Sequence, residues 1–133
     1  MSSTSKPATI ASWLAQLAAA AILGMAGVMK WIGAPDSIRL FEELGVEPWG
    51  RYLMGTAELA TALLLLVPKT AVWGGAGAMA LMAGAIGVHV FRIGIVYNGD
   101  ASLFMMAMIT FIAGAVVFII RRRERGATQY GAP

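Results

Sequence analysis

Four apolar runs divide the chain, and the polar residues gather between them. The runs cover residues 10–30, 48–67, 71–91 and 101–120, each close to the ~20 residues a helix needs to cross a ~30 Å hydrocarbon core. The first is apolar except at Ser12 and Gln16, and it closes on Lys30 and Trp31, a cationic and aromatic pair of the kind that anchors a helix at the headgroups. It continues well past the alanines at 18–21, too far for the ~7–15-residue core of a cleaved signal. Between the first two runs, Ile38, Phe41 and Leu44 fall on one helical face while Arg39, Glu42 and Glu43 point elsewhere. That spacing predicts a short amphipathic helix in the membrane interface, started at Pro35 with Asp36 or Ser37 as cap and stopped at Gly45. An ordered loop packed on the bundle is the alternative.

The second run opens at Pro48 and Trp49 and ends at Pro68, so Lys69 and Thr70 make a tight turn into the third. The third is rich in small residues, and Ala76, Ala80 and Gly84 form a small-xxx-small row of the type that lets membrane helices approach closely. Gly24 and Gly27 suggest the same for the first. Asn98-Gly99 marks a turn before the fourth run, whose Met and Phe residues read as lipid-facing or packing side chains. The predicted fold is all-α, an integral membrane four-helix bundle with a short interfacial helix between spans 1 and 2. Residues 1–9 are expected to be a flexible leader and residues 121–133 a basic, disordered tail.

Composition agrees. The chain is 59% hydrophobic and 13% charged, against roughly 25% charged in soluble domains. It has no Cys and one His among 133 residues. This excludes disulfides, thiolate ligands, Cys nucleophiles and multi-His metal sites. No phosphate-cradling glycine loop is present, and nucleic acid is not an expected partner.

With four spans both termini share one side. That side carries Lys6, Lys69, Arg121, Arg122, Arg123 and Arg125, six cations; the other carries Lys30, Arg39, Arg51 and Arg92, four, mixed with acids. The positive-inside rule then places both termini in the cytoplasm, in a cell (inner) membrane. On this topology Lys30, His89 and Arg92 end their spans at the outer face. Glu58 lies ~10 Å beyond Arg51 into the second span. Helical side chains lean toward their own N-terminus, so Lys30 and His89 lean inward and Glu58 outward. An acid within a span is costly unless partnered and is a functional-site hypothesis by default. Lys30, Glu58 and His89 are therefore the candidate polar, proton-handling cluster, with Arg92 a candidate for ligand binding. The bland alternatives are a snorkelling Lys30, an interface anchor at Arg92, and a Lys–Glu pair that only fixes helix register. The opposite half holds little that is polar beyond Gln16.

Taken in order, Gly27-x-x-Lys30, the loop with Pro35, Phe41 and Leu44-Gly45, then Gly55-x-x-Glu58-Leu59, a leucine run, His89 and Asn98-Gly99 resemble the DoxX/DoxD-like family of small four-span membrane proteins. The resemblance covers about residues 10–120 and rests on the order of these motifs rather than on any single one. It implies a four-helix bundle with cytoplasmic termini. It also implies membrane redox chemistry, since some members are subunits of thiosulfate:quinone oxidoreductase and others belong to assemblies handling thiol stress. Lys30, Glu58 and His89 are the positions carried over as the polar site.

The leading expectation is a subunit associated with quinone-linked redox chemistry. No cofactor is intrinsic to the chain, so electrons would travel through a bound quinone or another oxidoreductase subunit. The alternative is a non-catalytic structural or assembly subunit. A small multidrug-type proton-coupled transporter fits less well, because there the acid sits in the first span and the loops are short. Whether the chain is catalytic stays open at this stage, as does a homo-oligomer beside its other expected partner, the lipid bilayer.

Overall fold

The computed structural model describes residues 5–97 and 99–130. Among the described residues there are five α-helices: α1 (Lys6–Trp31), α2 (Pro35–Glu43), α3 (Trp49–Leu66), α4 (Ala71–Val88) and α5 (Ser102–Tyr130). One turn of π-helix, His89–Ile93, extends α4 until Gly94, whose φ of 86° ends it. Among the described residues the only extended pairing is a bridge between Tyr97 and Asp100 across the turn. Asn98, the other half of the expected turn pair, lies outside the described residues.

Helices α1, α3, α4 and α5 pack as an antiparallel ring. α1 contacts α3 and α5, α4 contacts α3 and α5, and α1 and α4 barely meet. The buried core runs through Leu23, Leu65, Ala78, Met82 and Val117. Large apolar side chains such as Leu14, Leu63, Trp73, Phe91 and Ile112 face outward, the reverse of a soluble bundle and the arrangement lipid requires. Lys6–Trp31, Ala71–Ile93 and Ser102–Gly126 are each long and apolar enough to cross a membrane. α3 is not among them; it has 18 residues and carries Arg51 and Glu58.

Both ends of the chain are more helical than expected. Ser5 caps α1 by accepting from the Ala8 amide, and Pro7 suits the first turn, so the leader is helical from Lys6. Residues 1–4 lie outside the described residues. At the other end α5 runs through the basic stretch to Tyr130 instead of stopping at residue 120. Arg and Glu are good helix formers, Arg121 pairs with Glu124 at 2.7 Å, and the Arg125 guanidinium lies over the Trp73 ring. Residues 131–133 of the expected tail lie outside the described residues.

α2 starts with Ala34 as cap and Pro35 at its first position, with no side-chain capping bond. Asp36 instead faces Arg39 at 3.7 Å. The φ of 77° at Gly45 ends the helix as its sequence implies. Phe41 is buried, with Ile38 and Leu44 half-buried on the same face.

Candidate functional site

Glycine sets the geometry at the Lys30 end. A Cβ on Gly27 would lie 2.7 Å from Leu59 Cγ and 2.9 Å from the Gly55 carbonyl. One on Gly55 would lie 3.1 Å from Lys30 Cβ. The α1 and α3 backbones therefore meet where only glycine fits, and Lys30 reaches along α3 to Glu58. Its Nζ lies 2.8 Å from Glu58 Oε1, with side-chain exposures of 14% and 5%. The approach is off the hydrogen-bonding direction, so Oε1 has a counter-charge but no aligned donor.

Arg51 closes the mouth of this pair. Its guanidinium donates to both Glu47 oxygens, at 2.8 and 3.0 Å through Nε, and to the Lys30 carbonyl through Nη1. It also lies 4.4 Å from the Tyr52 ring centroid. Tyr52 in turn packs on Trp31 with centroids 4.7 Å apart, and the Trp31 indole N–H donates to Thr56. The end of α1 is thus clasped to the start of α3 by a fork, an ion pair and two rings.

His89 is at the same end of the bundle and buried, but it does not join the pair. Its Nδ1 lies 3.0 Å from the Gly94 carbonyl, and its ring meets Phe104 edge-on at 5.7 Å. A carbonyl only accepts, so Nδ1 carries the proton and the lone pair of the neutral ring falls on Nε2. Arg92 is exposed on the π-turn. The expected four-residue convergence is therefore one contact, Lys30 with Glu58, and two separate neighbours. The π-turn is the physical reason: it rotates the end of α4 and hands His89 to the Gly94 carbonyl.

Beside this end, Tyr97 lies near Glu43 of α2. Tyr97 is buried, and burial, reinforced by nearby Glu43, pushes its phenol above the usual tyrosine range. The Asp100 carboxylate accepts from the Ser102 amide and hydroxyl at 2.9 and 2.8 Å, which holds it below the usual carboxylate range.

A second polar cluster lies at the opposite end, where little was expected. Gln16 is fully buried. It accepts from the Ser12 hydroxyl at 2.8 Å and from Arg121 Nε at 3.0 Å, and donates to the Leu65 carbonyl at 2.7 Å. Arg121 also pairs with Glu124 and lies 5.5 Å from the Trp13 ring. This cluster joins α1, α3 and α5. Its signal in the sequence was the lone amide of the first span lying level, in an antiparallel pairing, with the first arginine after the fourth. Arg51 was missed because a cation at a span boundary reads as an ordinary anchor.

No curated protein and no solved structure matches the chain. The model of the DoxX-like family matches residues 14–109. That stretch holds Lys30, Glu58, His89 and Arg51 together with most of α1 and all of α3 and α4, and the chain belongs to the DoxX-like family.

Proposed function

We propose that this DoxX-like membrane protein is a subunit of quinone-linked redox chemistry, with the Lys30–Glu58 pair and, separate from it at the same end of the bundle, His89 serving as the polar groups of a ligand site on the outer side of an inner membrane. The observation that carries this reading is the Lys30–Glu58 pair, 2.8 Å apart and almost wholly buried. Desolvating two charges costs several kcal/mol per ion, and an apolar pair of similar volume is often as stable or more so. A charge pair kept inside such an apolar bundle therefore supports ligand or proton handling.

The residues fit a quinone headgroup. Glu58 Oε1 lacks an aligned donor and can accept from a hydroxyl. His89 offers Nε2 as acceptor, its Nδ1 being engaged with the Gly94 carbonyl. Lys30 supplies the counter-charge beside the carboxylate, and Arg92 offsets negative charge at the rim. A bound quinone supplies two-electron chemistry coupled to two protons; the chain's own residues move only protons, and the electrons come from a redox partner subunit. The test is ubiquinone retained by protein purified in mild detergent. Retention is expected to fall severalfold in Glu58→Gln and in His89→Ala. Wild-type retention in both variants would remove the site.

A second reading is favoured by the glycine contact and by the Arg51 bond to the Lys30 carbonyl. Here the pair is a clasp that fixes α1 against α3 in a structural or assembly subunit. Exchanging the partners, Lys30→Glu with Glu58→Lys, then restores stability and recovery of partner subunits, whereas a ligand site would stay inactive after the exchange.

A further inference from the structure

We infer that the lipid-facing side of α5 at its basic end is a binding site for an anionic phospholipid, with the phosphate held by Arg122 and Arg123. The four arginines of this stretch are not equivalent. Arg121 is buried against Gln16 and Glu124. Arg125 is laid over Trp73 of α4. Arg121 is turned into the bundle, and Arg125, although exposed, is engaged by the outward-facing Trp73 ring. Arg122 and Arg123 are exposed and line an open groove of about 360 Å³ with Phe118 and Ile119.

The groove is layered as a phospholipid is layered. Phe118 and Ile119 stand one turn before the two arginines, on the part of α5 that crosses the membrane. The Arg122 guanidinium lies 5.9 Å from the Phe118 ring centroid, so the cation sits directly against the apolar part of the groove. Below it, exposed Ile112, Ile109 and Met105 continue an apolar track along α5 for an acyl chain. Helix continuation to Tyr130 holds the two cations at a fixed height, and Arg presents a planar fork suited to a phosphate. Among the described residues, neither arginine has an acid partner, so charge complementarity falls to the anionic lipid.

The test uses the full chain in neutral maltoside micelles doped with phosphatidylglycerol or phosphatidylcholine, with retained lipid counted by native mass spectrometry. Phosphatidylglycerol is expected to be retained over phosphatidylcholine. At about fivefold per cation near a lipid surface, Arg122→Gln with Arg123→Gln should weaken retention about 30-fold. Arg125→Gln and Lys69→Gln should retain it as the wild type does, and inorganic phosphate at matched concentration should not displace it. Equal retention of the two lipids, an unchanged double variant, an equal loss in Arg125→Gln, or displacement by inorganic phosphate would each overturn the assignment. Matching circular dichroism and elution volume establish that the variants are folded.

Discussion

Glu58 and Lys30 differ in what they can do once separated. Glu58 is 5% exposed on a short side chain, whereas Lys30 is 14% exposed at the end of its helix. A lysine stem can swing its ammonium to the headgroups; the carboxylate has no such route. Lys30→Met should therefore destabilise more than Glu58→Gln, the first approaching the ~3–5 kcal/mol of a broken buried pair and the second well below it. Lys30→Met with Glu58→Leu should recover most of the loss. Unfolding in detergent by titration with dodecyl sulfate reads all three, and equal losses for the single variants would refute the asymmetry. Gln16 gives a companion case at the other end. Gln16→Leu removes an acceptor from Ser12 and Arg121 and the donor to the Leu65 carbonyl. The expected loss is about 1–3 kcal/mol, since buried polar groups are left without partners. A neutral outcome by the same titration would mean that the network adds nothing to stability.

The helices themselves were legible because lipid writes a long, simple signal: uninterrupted apolar runs ended by Trp, Lys, Pro or Gly. Which small-residue row packs was not. α4 is small on several faces, so Ala76, Ala80 and Gly84 looked as suitable as Gly74, Gly75 and Ala78. Ala80 and Gly84 are exposed, while Gly74 lies against the Leu65 backbone and Gly75 against the Gly114 carbonyl. The Lys30–Glu58 contact was legible from topology and side-chain lean, but the π-turn that withdraws His89 leaves no mark in composition. A Cβ on Gly75 would lie 2.7 Å from the Gly114 carbonyl, backbone that cannot give way, whereas one on Gly84 meets nothing within 4 Å. Gly75→Ala should cost about 1–3 kcal/mol through overpacking, and Gly84→Ala should be neutral or stabilise by up to ~1 kcal/mol through helix propensity. Thermal unfolding in micelles separates them, and similar midpoints would refute the assigned face. At the start of α5, Asp100 is held below the usual carboxylate range by its Ser102 bonds. A depressed folded value means that its contribution is present above the unfolded pKa and is lost as pH falls through the folded one. Protection of the first-turn amides of α5, read as exchange rates corrected for their intrinsic pH dependence, should therefore fall on acidification, and Asp100→Ala should remove that change. Persistence of the pH response in the variant would place its origin elsewhere.

At the scale of the molecule, the open point is whether α3 crosses the membrane, since by length and composition it falls short of its three companions. The contacts argue that it does. Arg51 bonds the Lys30 carbonyl at one end, and the Leu65 carbonyl bonds Gln16 at the other. Gln16 to Lys30 and Arg51 to Leu65 are each 14 residues apart, about 21 Å of helix at 1.5 Å per residue. α3 thus runs antiparallel beside α1 for a length that matches most of a ~30 Å hydrocarbon core. Its charges do not prevent this, because Glu58 is paired with Lys30 and Arg51 sits with Glu47 at the boundary. Four crossings put Lys6, Lys69 and Gly126 on one side and Asp36 and Asp100 on the other. Three crossings, with α3 lying on the surface, would part Lys6 from Gly126. The chain has no Cys, so single substitutions report without background. Lys6→Cys, Lys69→Cys and Gly126→Cys should resist a membrane-impermeant maleimide in whole cells and react after lysis. Asp36→Cys and Asp100→Cys should react in whole cells. Labelling of Lys6→Cys and Gly126→Cys from opposite sides would sink the four-span arrangement, and labelling of both from outside would invert the orientation drawn from the arginines of α5.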